Sequence, residues 1–221
     1  MSRRTQANDI RKRMREDYIK RFTNIPALIY LLTNRAITLL DPMSWDDTND
    51  SYYLTIYKKK KSLKTVLALC FTETSETYHH WHLFAGGSSG VCITFRHERL
   101  LNIVRRIPGV ICKSVDYIRL DKMRKKKILM SQLPFIKRHG FQDECEFRII
   151  YESKRATLAT KDIKIPLTSI EKITLSPWMP KALAKSVKDS IHFITGCENI
   201  KVVRSTLVGN LEWKKLASKA S

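Results

Sequence analysis

Glu144, Glu146 and Arg148 are spaced two apart in Glu-Cys-Glu-Phe-Arg-Ile-Ile-Tyr, a segment that turns strongly apolar after its charged start. If this segment is extended as it enters a strand, side chains alternate faces. The two glutamates and Arg148 then share one face, with Cys145, Phe147 and Ile149 on the other. Two carboxylates side by side can divide a reaction, one steadying developing positive charge and the other accepting a proton. The competing interpretation is structural, with Arg148 as the ion-pair partner of both. A second acidic stretch, Ser44-Trp45-Asp46-Asp47-Thr48-Asn49-Asp50, is rich in turn formers. Its acids could position a ligand or bind a cation, or they could simply hold a surface loop by Asx-turns. Asp46, Asp47 and Asp50 together with Glu144 and Glu146 also make an oxygen-rich set of the kind Mg²⁺ requires.

The charge of the chain says what such a site would meet. With 41 Lys and Arg against 21 Asp and Glu, the formal net charge is +20 over 221 residues. A field of that sign draws polyanions, nucleic acid ahead of anionic membrane. Its densest part is Arg124-Lys125-Lys126-Lys127, supported by Arg105, Arg106, Lys137 and Arg138, and this is the expected polyanion surface. Tyr52, Tyr53, Tyr57 and Trp213 add rings for stacking on bases. His79, His80 and His82 carry a His-x-x-His spacing but lack the glutamate of a zinc-protease motif, so no zinc site is expected. The five cysteines are scattered without a Cys-x-x-Cys pair, which argues for reduced thiols rather than a disulfide framework. No apolar signal region opens the chain and no run of about 18 apolar residues crosses it. A cytoplasmic protein with no membrane partner is the expectation.

The elements that must carry these residues alternate helix and strand, which predicts an α+β fold: a single mixed-sheet domain with flanking helices, over residues 18–208. A basic arm or helix over residues 1–17 precedes it and a basic tail over 209–221 follows. A strand over Asp17–Phe22, a helix through Ala27–Leu32 capped by Thr23 or Asn24, and a strand over Ala36–Leu40 form a βαβ-like opening. Val66–Phe71 is a continuous apolar run of the kind buried on both faces. Glu76–Ala85 is a helix bearing Tyr78, Trp81 and Phe84, and Val91–Phe95 a strand. Arg119–Leu133 is expected to be a basic helix, and Ser176 starts another that runs to Ile194.

From about Tyr18 to Leu207 the sequence resembles an uncharacterised bacterial and phage family, domain of unknown function 2971. The resemblance rests on Trp45–Asp50, on Trp81-His82-Leu83-Phe84-Ala85 followed by Gly90-Val91-Cys92-Ile93-Thr94-Phe95, and on Glu144-Cys145-Glu146-Phe147-Arg148. Lys137 stands where the family usually has a lysine, Phe84 where it has tyrosine, and Asp46 and Thr48 where it has Asn and Pro. The family's distribution implies a toxin or phage-defence role. It also groups the acidic loop, the Trp81 helix and the acidic strand around one site.

The order of residue types also looks like the Arg–Ser–Glu series of NAD-dependent ADP-ribosyltransferases. Arg21 stands on an early strand, Thr72 at a hydroxyl-rich strand end, and Glu144 and Glu146 open a late strand. That likeness implies Arg21, Thr72 and Trp81 at NAD, with Asp46, Asp47, Lys137 and the 124–127 run toward the substrate. Glu146 would hold the ribose 2′-hydroxyl, and Glu144 would take the proton of the attacking group. A metal-dependent nuclease using Mg²⁺ and a nucleic-acid-binding protein without catalysis are the other two functions the sequence admits.

Overall fold

Asn24 sets the first turn of the structure. Its side chain accepts from the Ala27 amide and Pro26 occupies the first helical turn, so the chain leaves β1 (Tyr18–Asn24) directly into α1 (Ile25–Asn34). Arg35, at φ 50° and ψ 46°, ends that helix in the left-handed region, and β2 (Ala36–Leu40) follows. This computed structural model describes residues 17–218. The expected basic arm, apart from Asp17, lies outside the described residues.

Asp47 caps α2 (Thr48–Lys60) by accepting from the amides of Asn49 and Asp50. The expected acidic loop is therefore half helix, with Asp50 in its first turn. β3 (Thr65–Thr72) is buried along nearly its whole length, as its unbroken apolar run requires. α3 (Tyr78–Phe84), capped by Thr77, leads into β4 (Gly90–Arg96) and α4 (His97–Val104). β5 (Val110–Ser114) and β6 (Asp116–Ile118) come next.

The expected basic helix over Arg119–Leu133 does not form. One turn, α5 (Leu120–Met123), is helical, and a 3₁₀ segment over Met130–Phe135 follows after an irregular stretch. The adjacent cations of Arg124–Lys127 repel at helical spacing, and Pro134 blocks continuation from the other end. β7 (Ile136–Arg138), β8 (Glu146–Ser153), β9 (Thr160–Lys164) and β10 (Ile170–Leu175) complete the acid-bearing half. α6 (Lys181–His192) begins only after Pro180, later than Ser176. β11 (Lys201–Arg204) and α7 (Leu211–Ala217) close the described chain.

The described residues form an α+β fold, with a mixed nine-stranded sheet flanked by helices and a separate parallel pair, β6 with β7. The large sheet is split. On one side run β11, β10, β4 and β1; on the other, β3 pairs with β8 from Thr65 to Thr72, and β8 with β5. The halves join where β1 meets β3 at one pair, Lys20 opposite Thr72; β2 meets β3 at Leu40 opposite Ala68.

One face of the sheet carries the main core, with α1, α4 and α6 packed over residues such as Ile19, Ile93, Phe95 and Ile149. The other face has two smaller cores. Leu54 and Tyr57 of α2 cover Val66, Ala68 and Ile150, while Trp81 of α3 covers Phe22 and Cys92. Polar side chains lie in the gap between these two cores.

Candidate active site

Antiparallel pairing puts Lys20, Thr72 and Glu146 directly opposite one another on β1, β3 and β8. Cross-strand partners share a face, so a cation, a hydroxyl and a carboxylate form one row at the join of the split sheet. Arg148 follows two residues along β8 on the same face.

Arg148 is fully buried and organises the deeper half of the site. Its Nε and Nη2 donate to the two oxygens of Glu146 at 2.8 and 2.7 Å. Its Nη1 and Nη2 donate to the two oxygens of Asp50 at 2.9 and 2.7 Å. Nη1 also reaches the Pro134 carbonyl at 2.9 Å, and Trp45 lies 4.9 Å from the guanidinium. Such bidentate pairs fix geometry as well as charge.

Glu144 is not on this strand. Cys145 sits at φ 44° and ψ 52°, a left-handed turn that interrupts the alternation and ends a 3₁₀ segment over His139–Glu144. The turn is pinned on both sides. The Glu144 carbonyl accepts from Thr72 Oγ1 at 2.6 Å and lies 3.3 Å from His80 Nε2, while the Glu146 amide donates to Tyr117 at 2.8 Å. The structural alternative, in which Arg148 pairs with both glutamates, holds for Glu146 and not for Glu144. Arg148 holds Glu146 and Asp50, while Lys137 Nζ donates to Glu144 Oε2 at 2.7 Å. Lys137 also stands 3.6 Å from Glu146 and 3.8 Å from Asp50.

Three carboxylates (Asp50, Glu144, Glu146) thus meet two cations (Arg148, Lys137), leaving one negative charge in excess. The titration of the acids is set first by burial and then by these two cations. Burial works to raise the Glu146 pKa, but Arg148 outweighs it and holds the carboxyl below its ordinary range. For Glu144 burial prevails over the opposing Lys137 ammonium, and its pKa rises. Burial also raises Asp50 against the pull of Arg148. Lys137 itself is raised, since Glu146 and Glu144 outweigh the effect of its burial. The cluster therefore holds one firmly ionised carboxylate and others disposed to accept a proton.

A cavity of about 300 Å³ opens beside the cluster, with Lys137 and Asp50 in its wall. Asp47, Asn49 and Tyr53 of the α2 region line it, together with Ile118, Leu120 and Met123. Arg138 lines both this cavity and an adjoining groove of about 370 Å³, which also takes in Arg119 and His139.

The remaining sequence candidates fall in several places. Thr72 belongs to the row but spends its hydroxyl on the Glu144 carbonyl. Arg21 alternates with Lys20, so β1 turns it to the opposite face of the strand, and its Nη1 donates to the Cys70 carbonyl at 3.1 Å. The cation of the row is Lys20, one residue earlier, whose Nζ donates to the Thr74 carbonyl at 2.8 Å. Trp81 is fully buried and donates to Glu76 at 2.7 Å, so its indole anchors α3 rather than facing an open site. Asp46 is exposed in the loop before α2 and does not line the cavity. Arg124, Lys125, Lys126 and Lys127 are exposed immediately after α5. Lys137 belongs to the acid cluster rather than to that basic surface.

Asp50 and Lys20 are what reading the sequence for an NAD site missed. Asp50 is 98 residues from Arg148 and carries no local mark of the pairing. Among the described residues, no group of three or more His, Cys, Asp and Glu is arranged to hold a metal ion. No helix among them is long and apolar enough to cross a membrane.

No protein-family model matches the chain, and no curated protein does. Among solved structures, the chain is similar to DarT of Thermus sp. 2.9 in three complexes. With carba-NAD⁺ the TM-score is 0.44 at 9% identity, covering 86% of this chain and 96% of that one. With ADP-ribosylated single-stranded DNA it is 0.44 at 10%, covering 86% and 94%. With NAD⁺ it is 0.43 at 10%, covering 86% and 96%. A likeness this distant carries no argument about chemistry.

Proposed function

We propose that the protein is an ADP-ribosyltransferase that consumes NAD and modifies nucleic acid. The observation that carries this reading is the row Lys20–Thr72–Glu146, a cation, a hydroxyl and an ionised carboxylate on three adjacent strands where the sheet splits. Loss of nicotinamide from NAD breaks the bond at ribose C1′, and the leaving ring takes the bonding pair and becomes neutral. Positive charge then builds on the ribose, as in glycoside cleavage. Glu146, kept ionised by Arg148, supplies a fixed negative charge to meet it. The acceptor forms the new bond to C1′, and its proton goes to Glu144, whose raised pKa suits a general base. Lys20 supplies positive charge for the phosphates, and the exposed run Arg124–Lys127 draws the polyanionic acceptor.

We propose, on the resemblance of the Trp81 and Glu144–Arg148 marks, that the chain belongs to the domain of unknown function 2971 family and has a toxin or defence role. The test is nicotinamide release from NAD by the purified protein, with and without single- and double-stranded DNA and RNA. Release that falls at least a hundredfold in Glu146→Gln, with near-ultraviolet circular dichroism unchanged, supports the reading. Absence of release under all these conditions overturns it.

One observation favours a second reading. Arg148 occupies both oxygens of Glu146, as a purely structural ion pair would. A nucleic-acid-binding protein without catalysis would then show salt-dependent binding and no turnover of NAD.

A further inference from the structure

Resting on that reading for its partner, nucleic acid, we infer that the outer face of α3, with Trp178 beside it, is a stacking platform for the unpaired bases of a single strand. α3 reads Tyr78-His79-His80-Trp81-His82-Leu83-Phe84, without one Asp, Glu, Lys or Arg, in a chain where those four make up 28% of residues. Its inner side accounts for two of these side chains. Trp81 is core, and His80 is buried, its ring 5.1 Å from that of Phe22 and its Nε2 3.3 Å from the Glu144 carbonyl. A surface helix with such an inner side ordinarily carries charged and polar residues on the other. Instead Tyr78 is 58% exposed, Leu83 59% and Phe84 44%, with His79 and His82 exposed beside them. Apolar side chains scattered singly over a surface need no explanation, whereas a contiguous group marks a contact site.

The rings are held by one another. Tyr78 and His82, one helical turn apart, stack with centroids 5.4 Å apart at 15°. Trp178, between β10 and α6, meets Tyr78 edge-on at 5.6 Å and 82°, and His82 at 6.1 Å and 71°. Trp178 is fixed from behind. It packs against the small core of Phe22, Trp81 and Cys92, and Arg204 donates to the carbonyls on either side of it, Pro177 and Met179. Rings oriented in advance lose little freedom when a ligand arrives.

Charge selects the occupant. Arg204 and Lys20, whose Nζ holds the Thr74 carbonyl shortly before α3, are both bonded to carbonyls, and neither has an ion-pair partner among the described residues. The acids near α3 are Glu76 and Asp143. Glu76 Oε2 accepts from Trp81 and from the Ser205 hydroxyl, and Asp143 acts on His80, on the inner side of the helix. Aromatic rings flanked by cations free of carboxylates are the combination that holds a single strand, bases on the rings and phosphates on the charges. A duplex hides the faces of its bases and could not use it. The platform lies one helix thickness, about 10 Å, from the Glu144 turn that His80 touches, within reach of nucleotides flanking an acceptor.

Short oligo-dT and oligo-U, and an abasic strand of equal length, carry the same phosphates and separate stacking from charge. Binding is read by fluorescence anisotropy over a salt series, without NAD. Wild type is expected to bind a base-bearing strand at least about tenfold more tightly than the abasic one, the scale of one or two stacked bases. A preference for oligo-dT or for oligo-U names the nucleic acid and supports the platform either way. Tyr78→Ala and His82→Ala each remove an exposed ring, so thermal stability should stay near that of wild type. Each is expected to weaken binding of the base-bearing strand by about tenfold and leave the abasic strand and the salt slope unchanged, since no phosphate contact is lost. Tyr78→Phe keeps the ring and should bind as wild type does. Equal binding of abasic and base-bearing strands by wild type, or unchanged binding in both alanine variants, overturns the inference. So does a dimer in sedimentation velocity that Tyr78→Ala converts to monomer, because a second copy would then cover this face. None of these measurements needs turnover. Ring-dependent binding without nicotinamide release counts against the transferase reading alone, and release without ring-dependent binding against the platform alone.

Discussion

Arg148→Met tests the architecture on which the site depends. The substitution keeps most of the aliphatic stem but removes a guanidinium that is fully buried and makes five hydrogen bonds, four of them to Asp50 and Glu146. The two carboxylates would be left with Lys137 as the remaining cation within reach, at 3.8 and 3.6 Å. Breaking a buried ion pair from one side costs about 3–5 kcal/mol, because the stranded charge must stay buried, take up a proton or unfold its surroundings. For a domain of this size each kcal/mol lowers the melting temperature by about 2–4 °C, so a drop of roughly 6–20 °C is expected. A thermal melt followed by circular dichroism measures that drop, and urea denaturation the underlying loss of stability. The triple variant Arg148→Met, Asp50→Leu, Glu146→Leu should recover much of the loss, since replacing a whole buried cluster by apolar side chains is often neutral or better. A single variant within about 1 kcal/mol of wild type would refute the claim that Arg148 holds the site together.

Glu144→Gln is expected to be at least as stable as wild type at pH 8, since it removes the surplus negative charge of the three-acid, two-cation cluster. The folded pKa of Glu144 is raised, so its stabilising contribution is fully present below its ordinary value of 4.5 and lost as pH rises through the raised one; the variant's advantage should shrink on acidification in a thermal-melt series. Glu146 acts with the opposite sign. Its folded pKa is lowered, so the stability it confers is present above 4.5 and lost as pH falls through the lower folded value; an acid titration of unfolding should lose that limb in Glu146→Gln. Cys145→Gly fits the φ of 44° without strain and should stay within about 1 kcal/mol of wild type, whereas Cys145→Val should cost about 1–2 kcal/mol or more by urea denaturation. Replacing Arg124, Lys125, Lys126 and Lys127 by alanine should flatten the dependence of log affinity on log salt for single-stranded DNA by up to about three units if all four contact phosphate, and an unchanged slope would remove this run from the binding surface.

The opening of the fold was legible because its signals are local. Asn24 with Pro26 marks a helix start and Asp41-Pro42 a strand end, and β1, α1 and β2 lie where those residues put them. β3 was equally plain, since an apolar run as dense as Val66–Phe71 has nowhere to go but the centre of a sheet. The site was legible in kind but not in pairing. Glu146 and Arg148 do share a strand face, yet Glu144 leaves it because Cys145 takes a left-handed conformation that sequence usually signals with Gly or Asn. Choosing Lys20 over Arg21 needs the β1–β3 register, and a one-residue change of register exchanges the faces of a whole strand. The Asp50–Arg148 pair required tertiary packing across 98 residues. The basic segment after Arg119 failed as a helix because its apolar positions are too irregular to outweigh the repulsion within Arg124–Lys127.

Two unfavourable features adjoin at Glu144, and their proximity bears on whether the site works or merely holds the fold. Cys145 occupies a backbone region that costs a non-glycine residue about 1–2 kcal/mol. Next to it the cluster carries one carboxylate more than its cations neutralise. A cluster retained only for stability would need neither. Two acids on Arg148 and Lys137 would balance the charge, and glycine at 145 would relieve the turn. The same turn is what lifts Glu144 off the strand, away from Arg148 and onto the ammonium of Lys137, which also lines the cavity. Strain and unbalanced charge concentrated at a single carboxylate beside a cavity are the arrangement expected where stability has been given up for reactivity. Arg148, Asp50 and Glu146 then form the frame, and Glu144 paired with Lys137 is the part to which the proposed transferase reading assigns the proton.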